Sequence, residues 1–555
     1  MPGLLLELSK IDKFSSEGEI ILKEPWWKGA VIYQVYPRSF KDSNNDGIGD
    51  LKGVSSKLDY IADLGVDAIW LSPIYKSPMK DFGYDISDYY AIDPIFGTME
   101  DFDELLEEAH KRGLKVILDM VLNHTSDQHP WFIESRSSRD NPKADWYIWV
   151  DGEKGTPPNN WQSYFGGSAW NWDETRKQYY LCLFTKEQPD LNWRNPEVKK
   201  AVFDVVRFWL EKGVDGFRLD VVNLYYKDAK LRNNPRKKRR TEIEFENYYN
   251  IFTRDRPETL LAVEELQEIV DSFGDRVTIG EVATDLGVIQ YYEYTKPGRL
   301  NLAFNFEFKD VNIFSARAFG DVIDLTERIF GEVAWPSYVL GNHDSPRFIS
   351  RFSNGKDDVQ RARVLAAMLL TVRGTPFLYA GEEIGMTEGD IPYEKLQDPL
   401  GVNLWPKHKG RDGCRTPMQW DDSEFAGFST VEPWLPVNEN KNEVNVEHEA
   451  RDPNSMLNYY KELLRLRKES NALKFGDYRK LETSNTEVLA YLREYEDERK
   501  IVILNFNDQE VGLELKGTDF KGFSVQFGTH RQEGILSLEL TLAPLEIIIG
   551  EVLGP

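Results

Sequence analysis

Cysteine is almost absent from this 555-residue chain, which contains only Cys182 and Cys414. Two distant cysteines make neither a disulfide framework nor the paired spacing of a zinc ribbon. We therefore expect a protein of a reducing compartment and predict a cytoplasmic location. Long apolar runs are also lacking, because the leucine run at positions 4 to 6 is followed at once by Glu7. No segment approaches the roughly 20 apolar residues of a membrane span, so we expect no membrane partner.

Positive charge is in the minority, since 68 Lys and Arg stand against 93 Asp and Glu and give a formal net charge of −25. Nucleic-acid binding requires clustered cations that displace counterions from phosphates. The one basic run, Arg236–Arg240, follows Asn233, Asn234 and Pro235, and we interpret it as a solvated loop. The sequence therefore predicts no nucleic-acid partner.

The chain is too long for one compact core, so we expect two or three domains. Short apolar runs alternate with segments of helical period, such as 101–112 and 196–212, which predicts parallel strands joined by crossover helices. About eight strands predict a (β/α)8 TIM barrel, an α/β fold. The predicted strands are Ala30–Phe40, Val66–Ile74, Lys115–Leu122, Gly216–Val222, Val277–Val282, Leu302–Phe308, Ser337–Gly341 and Pro376–Tyr379.

The gap between the third and fourth predicted strands is longer than a crossover needs and is rich in Trp, Gly, Pro and Asn. We assign residues 124–192 to an inserted subdomain that walls the active site. Segments of period two near the C-terminus predict an antiparallel β-sandwich over residues 471–555. The barrel then comprises residues 26–123 and 193–470, and residues 1–25 form an N-terminal extension without an assigned function.

Three predicted strands end in acidic residues. The fourth ends at Asp220, the fifth at Glu281, and the seventh leads to Asp344. Because the functional loops of a barrel follow the carboxyl ends of its strands, these acids should share one rim. One carboxylate there can attack an anomeric carbon while a second protonates the leaving oxygen. Arg218, two residues before Asp220 on the same side of the strand, should keep that carboxylate ionised.

Longer motifs make the sequence recognisable. It resembles the α-amylase family of glycoside hydrolases, in the oligo-1,6-glucosidase and α-glucosidase branch, from residue 26 to the C-terminal domain. Besides the three acid-bearing segments, the resemblance rests on Tyr33–Phe40, Asp81–Tyr89, Leu118–Ser126 and Arg411–Trp420. It implies that Asp220 is the nucleophile, Glu281 the acid/base, and Asp344 a carboxylate that stabilises the transition state.

The resemblance also implies a set of residues around the non-reducing glucose of a small oligosaccharide or disaccharide substrate. Asp81 and Arg411 would grip its outer hydroxyls and close the pocket, and Arg411 is preferred over Arg415. The implied binding residues are Asp81, Tyr84, His124, Phe165, Phe184, Arg218, Val221, His343 and Arg411. Val221, next to the nucleophile, resembles enzymes that favour α-1,6 links, although α-1,4 links and sucrose remain open.

Residues 42–50 place oxygen ligands at alternate positions with glycines for the turn, as a calcium loop requires. The loop resembles the metal loop of the same branch and predicts a structural Ca²⁺ or Mg²⁺, with no organic cofactor. The expected ligands are Asp42, Asn44, Asp46 and Asp50 by side chain and Ile48 by its carbonyl. An Asx-rich turn without metal is the alternative.

Three other functions are compatible with the fold. A sucrose isomerase or other transglucosylase would share the catalytic residues and differ in how the acceptor site excludes water. A catalytically silent relative should carry a membrane span and lack the three acids. An endo-acting amylase would need an open cleft. The sequence favours a retaining exo-acting α-glucosidase, as a monomer or small homo-oligomer.

Overall fold

The computed structural model describes residues 11–14, 20–22 and 24–554. Eight parallel strands close into a barrel in the order in which they follow along the chain, and the last pairs with the first. The (β/α)8 barrel is therefore confirmed. We number its strands β1 Ile32–Val35, β2 Ala68–Leu71, β3 Lys115–Met120, β4 Gly216–Leu219, β5 Val277–Gly280, β6 Leu302–Asn305, β7 Ser337–Val339 and β8 Thr375–Tyr379.

The barrel strands are buried on both faces, which explains why they read as apolar runs in the sequence. Their inward side chains fill the barrel, where Trp70 packs against Phe304 and Phe377 with ring centroids 5.6 and 6.4 Å apart. The outward side chains pack against the crossover helices. The barrel is thus a filled core whose rims carry the loops.

Crossover helices surround the barrel and begin with recognisable caps. Met99–Lys111 begins with a capping box formed by Thr98 and Asp101, and Pro196–Glu211 begins with Asn195 as cap and proline in the first turn. Both predicted helices are confirmed. The other principal helices are Leu51–Ser55, Leu58–Leu64, Pro257–Asp271, Val288–Tyr294, Ala316–Phe330, Asp358–Thr371, Pro399–Leu404, Val446–Arg451, Met456–Glu469 and Asn471–Phe475.

The insertion after β3 contains the helix Pro130–Ser137 and a three-stranded antiparallel sheet of Trp149–Val150, Gln178–Leu181 and Trp170–Asp173. A fully buried ion pair of 2.6 Å joins its Asp190 to Lys227 in the loop after β4. This contact fixes the base of the insertion against the barrel rim.

The C-terminal region forms two antiparallel sheets around an apolar core of their own. The larger sheet contains Asp477–Lys480, Val488–Tyr495, Glu498–Asn505, Ile547–Val552, Gly522–Gly528 and Ile535–Ser537. The smaller sheet contains Glu482–Thr483, Val511–Lys516 and Glu539–Leu542. The predicted C-terminal β domain is confirmed.

Two buried arginines join the C-terminal region to the barrel. Arg493 donates to the carbonyls of Thr371 and Leu473, and Arg467 donates to those of Leu370 and Leu473. The carbonyls of residues 370 and 371 end a helix and carry the partial negative charge of its C-terminus. The guanidinium groups thus bond to backbone carbonyls, and burial lowers their pKa values to about 9 for Arg493 and about 10 for Arg467.

Before residue 24 the structure describes two short strands, Ile11–Phe14 and Ile20–Leu22, which pair antiparallel. The leucine run at positions 4 to 6 and most of the predicted N-terminal extension lie outside the described residues. Within the described part of the chain, no helix combines the length and the apolar character that crossing a membrane requires.

Candidate active site

The three predicted catalytic acids lie at the same rim of the barrel. Asp220 directly follows β4, Glu281 directly follows β5, and Asp344 is in the loop after β7. They line one pocket together with every predicted binding residue except Arg218 and His343. The pocket is lined by Asp81, Tyr84, His124, Phe165, Phe184, Gln188, Asp220, Val221, Glu281, Asp344 and Arg411.

Arg218 lies beneath the pocket and binds three carboxylates. Its Nη1 is 2.8 Å from Asp119 Oδ1 and 2.7 Å from Asp220 Oδ1, and its Nη2 is 2.6 Å from Glu281 Oε2. Burial raises the pKa of Asp119 to about 6 and the pKa of Asp220 well above its usual value, and Arg218 opposes both shifts. Arg218 is the one guanidinium that these three carboxylates share, and it only partly offsets the effect of burial on the pKa values of Asp119 and Asp220.

Val221 has a left-handed backbone with φ of 36°, which a β-branched residue rarely adopts. Hydrogen bonds on either side maintain this conformation, because the Asp220 amide donates to the Met120 carbonyl and the Val222 amide donates to the Glu281 carbonyl, each at 3.1 Å. The amide of Val221 itself donates to Glu281 Oε2 at 3.1 Å. The strained turn at Val221 therefore links the two candidate catalytic acids, because Val221 follows Asp220 directly and its amide is bonded to Glu281.

Asp344 accepts two charged hydrogen bonds at one oxygen, from Arg411 Nη1 at 3.1 Å and from Arg415 Nη2 at 2.8 Å. Its other oxygen lies 3.3 Å from the ring of His343. Although burial alone would raise it, His343 and the two arginines hold the pKa of Asp344 far below its usual range. Asp344 is thus ionised, and Arg415 lies behind it while Arg411 lines the pocket.

His343 is fully buried and supports the pocket from behind. Its ring stacks between Tyr36 and Tyr84, with centroid distances of 5.6 and 5.5 Å. Its nitrogens lie 2.7 Å from Gln34 Nε2 and 2.7 Å from the Tyr84 hydroxyl. Burial lowers its pKa to about 3, so the imidazole is neutral and positions Tyr84.

An ion pair spans one wall of the pocket. Arg411 donates to Asp81 Oδ1 at 2.8 Å and to Asp398 Oδ1 at 2.7 Å, and its guanidinium lies 5.0 Å from the centre of the Phe165 ring. Sequence reasoning missed Asp398, which precedes a proline and also caps the helix beginning at Pro399. A cap is the ordinary interpretation of that context, so no local signal indicated its contact with Arg411.

Gln188 is a second residue that sequence reasoning missed. Its Nε2 lies 3.1 Å from Asp81 Oδ2 and 3.1 Å from His124 Nε2. Its carbonyl oxygen accepts from Thr185, so the amide orientation is fixed. Gln188 connects the end of the insertion to Asp81, in the loop after β2, and to His124, where the insertion begins.

The predicted metal loop folds as a series of Asx turns. Asp42 Oδ1 accepts from the amides of Asn44 and Asn45, and Asp46 Oδ1 accepts from the amide of Ile48. Asp50 caps the helix Leu51–Ser55 through the amide of residue 53. Across residues 11–14, 20–22 and 24–554, no group of three or more His, Cys, Asp or Glu is arranged to hold a metal ion. The Ca²⁺ or Mg²⁺ site stays a prediction.

Family models match most of the chain. The catalytic domain of alpha amylase matches residues 34–476, and the C-terminal domain of maltogenic amylase matches residues 478–549. These segments coincide with the barrel plus its insertion and with the C-terminal β domain.

Relatives match along nearly their full length. A probable alpha-glucosidase of Rhizobium meliloti strain 1021 is 46% identical over 502 residues, which are 88% of this chain and 91% of that protein. An oligo-1,6-glucosidase of Parageobacillus thermoglucosidasius is 44% identical over 522 residues, which are 88% of this chain and 92% of that protein.

Solved structures agree in fold. The alpha-glucosyl transfer enzyme XgtA superposes with a TM-score of 0.90 at 43% identity, covering 96% of this chain and 100% of that one. A mutant of MutB in complex with the substrate sucrose superposes with a TM-score of 0.89 at 38% identity, with the same coverage.

Proposed function

This chain belongs to the α-amylase family of glycoside hydrolases, and from that premise we propose that it is an exo-acting α-glucosidase. It removes terminal, non-reducing α-linked glucose from short oligosaccharides. The observation that carries this proposal is the buried ion pair between Arg411 and Asp81, backed by Phe165, across the pocket wall. A pocket closed on that side admits a chain end, whereas an endo-acting amylase needs a cleft that is open at both ends.

The proposed mechanism retains the anomeric configuration. Asp220 attacks the anomeric carbon, and Glu281 protonates the departing oxygen and then activates water. Retaining enzymes keep their two carboxyl groups about 5–5.5 Å apart, whereas inverting enzymes need about 6.5–9.5 Å to admit a water. The bonds from both carboxylates to the two terminal nitrogens of Arg218 support the shorter spacing. Asp344, held ionised by two arginines, stabilises positive charge on the sugar ring.

We propose a preference for α-1,6 links. Val221 lines the pocket next to the nucleophile, and an oligo-1,6-glucosidase is among the relatives. A methyl-sized difference at such a position changes discrimination by about 1–3 kcal/mol, so cleavage of α-1,4 links and of sucrose is retained at a lower rate.

Transfer of glucose is the second candidate function. XgtA is an alpha-glucosyl transfer enzyme, and MutB binds sucrose as a substrate, so enzymes of this fold include α-transglucosylases. Transfer uses the same first step, in which Asp220 takes the glucose. The two functions differ in whether water or a sugar hydroxyl attacks the intermediate, so the product mixture distinguishes them.

We further propose that the loop of residues 42–50 binds a structural cation and that the protein is cytoplasmic. Oxygen-bearing side chains at alternate positions support the first proposal. Two buried cysteines that form no disulfide support the second.

The test is release of glucose from isomaltose, maltose and sucrose, with NMR detection of the first-formed anomer. We expect α-glucose to appear first, fastest from isomaltose, and Asp220→Asn to abolish its release. Asp321→Asn, at an exposed carboxylate on an outer helix, is the matched control and should keep full activity. Isomerised disaccharide in place of glucose establishes the transglucosylase, and an active Asp220→Asn refutes the assigned nucleophile.

A further inference from the structure

A cavity of about 290 Å³ lies at the end of the barrel opposite the candidate active site. Val31, Asp67 and Lys115 line it, and they lie where β1, β2 and β3 begin. The helix Met456–Glu469 and the residues after it form the facing wall. The cavity thus lies between the amino ends of three barrel strands and the helix that leads into the C-terminal domain.

Positive charge dominates the lining of this cavity. Among the described residues, four cations and one carboxylate line it, namely Lys115, Arg467, Lys468, Lys474 and Asp67. The chain as a whole has a formal net charge of −25. An excess of cations in one cavity of such an acidic protein favours an anionic ligand.

Much of this charge lacks a carboxylate partner inside the cavity. Among the residues that the structure describes, neither Arg467 nor Lys474 forms an ion pair. Lys468 lies 3.6 Å from Asp67, and Lys115 is paired at 3.0 Å with a carboxylate outside the cavity. Burial lowers the pKa of Lys474, and Asp67 opposes that shift, whereas Arg467 and Lys468 add to it. The cations are therefore close enough to act on one ligand.

Arg467 adds a buried donor to the wall. Its two terminal nitrogens donate to the backbone carbonyls of Leu370, Leu473 and Gly374 at 2.8–2.9 Å. Its Nε is buried and has no hydrogen-bond partner among the described residues. Since buried polar groups are normally hydrogen-bonded, an acceptor bound in the cavity would satisfy the guanidinium.

The helix ends beside the cavity offset only part of its charge. The helices Leu58–Leu64 and Met99–Lys111 end there, and each C-terminus carries about half a negative charge. The amides of Gly65 and Gly113 already donate to carbonyls of these final turns, at 3.1 and 2.9 Å. Two such ends offset about one of the four cations.

A phosphate monoester of monosaccharide size fits these features. Its phosphate has about −1.5 to −2 charge at pH 7 and three strong acceptor oxygens, which match clustered cations and a buried guanidinium donor. The volume lies just below the range of about 300–1,000 Å³ for small-molecule pockets. The rings of Trp26 and Phe475 lie 6.0 and 5.5 Å from the ammonium groups of Lys115 and Lys474, so they offer apolar surface beside the charge.

We propose that this cavity binds a phosphorylated monosaccharide, through Arg467, Lys468 and Lys474. The ligand would contact both the start of the barrel and the helix Met456–Glu469, and would stabilise the folded chain. The proposal is independent of the α-glucosidase function, because the cavity and the candidate active site lie at opposite ends of the barrel.

The test is isothermal titration calorimetry of the full-length protein with glucose 6-phosphate, inorganic phosphate and glucose. We expect glucose 6-phosphate to bind at one site in the cavity, at least tenfold more tightly than inorganic phosphate. Lys474→Gln should weaken its binding about tenfold, and Lys468→Gln about threefold because that side chain is more exposed. Binding of glucose, which reports on the candidate active site, should be unchanged in both variants.

Arg465→Gln is the matched control, because Arg465 is an exposed cation on the same helix that does not line the cavity. It should keep the wild-type affinity for glucose 6-phosphate. All three variants should release glucose from oligosaccharides at the wild-type rate, so that a failure of the α-glucosidase function is seen separately.

Four results would overturn the proposal. Wild-type protein that does not bind glucose 6-phosphate removes the site. An affinity that stays within twofold of wild type in both lysine variants shows that the ligand binds elsewhere. Equal losses in Arg465→Gln and Lys474→Gln indicate a general effect of charge. Equal affinities for inorganic phosphate and glucose 6-phosphate show that the sugar is not recognised.

Discussion

Replacing Arg411 by alanine should destabilise the barrel as well as impair catalysis. Arg411 bonds to Asp81, Asp398 and Asp344, and the first two carboxylates are buried. Arg411 opposes the effect of burial and holds the pKa of Asp398 at about 2, against an ordinary 3.8, which corresponds to about 2 kcal/mol of stability at pH 7. The substitution also leaves buried carboxylates without a partner, which raises the expected loss in the free energy of unfolding to about 3–5 kcal/mol.

That loss translates into a modest change in melting temperature because the barrel is large. An unfolding entropy of about 2.1 cal/mol/K per residue over roughly 450 residues gives a fall of about 3–5 °C. Scanning fluorimetry at pH 7 measures it, and Arg317→Ala, at an exposed side chain with one weak pair, is the control and should shift by less than about 1 °C.

The pH dependence gives a second check on the same variant. In the wild type, Asp398 has a depressed pKa, so its stabilising effect is present above about pH 4 and is lost as pH falls towards 2. In Arg411→Ala, the stranded carboxylates have raised pKa values and take up protons as pH falls below 7. The difference in melting temperature between the wild type and Arg411→Ala should therefore become smaller as the pH is lowered from 7 to 4. An unchanged melting temperature at pH 7, or a gap that widens on acidification, would refute the electrostatic reasoning.

Three further predictions follow from other parts of the structure. Val221→Thr should lower the ratio of isomaltose to maltose kcat/KM by about 5- to 150-fold, as about 1–3 kcal/mol implies, and an unchanged ratio would separate linkage preference from this position. If the loop of residues 42–50 binds Ca²⁺, EDTA should lower the melting temperature of the wild type but not of Asp42→Ala; equal shifts would contradict the site. Arg493→Met should destabilise the protein by about 2–4 kcal/mol in urea titrations, because it leaves the Thr371 and Gly476 carbonyls unpaired, and a wild-type midpoint would contradict that role.

The strands of the barrel were predictable because both of their faces are buried, so each reads as an apolar run. The ends of the strands were less predictable. The predicted strand Ala30–Phe40, for example, contains an actual strand of only Ile32–Val35. Beyond Val35 the chain turns into a short 3₁₀ helix at Pro37–Ser39, in which Pro37 and Ser39 are still buried, as is Phe40 after it. Residues therefore remain buried after strand pairing has ended. An apolar run in the sequence indicates burial and does not show where the pairing stops.

The candidate site was predictable where a residue ends a strand or belongs to a long motif, as Asp220 and Glu281 do. Gln188 and Asp119 were missed because their contacts join segments far apart in sequence, whereas Asp398 was missed because nothing in an irregular loop indicates that it contacts Arg411, 13 residues later. The pairing of Asp398 with Arg411 exists only after the loop beyond β8 folds back over the pocket. A sequence pattern does not show which residues of such a loop come into contact.

The two arginines between the C-terminal sheet and the barrel limit how this enzyme can be engineered. Arg493 belongs to the sheet, yet it completes the end of the helix Asp358–Thr371, which leads directly into β8. A truncation before residue 477, or exchange for a module that lacks this arginine, removes hydrogen bonds from inside the catalytic barrel. Fusion partners are therefore better attached after the last strand, and chimeras should keep residues 358–495 as one inherited block.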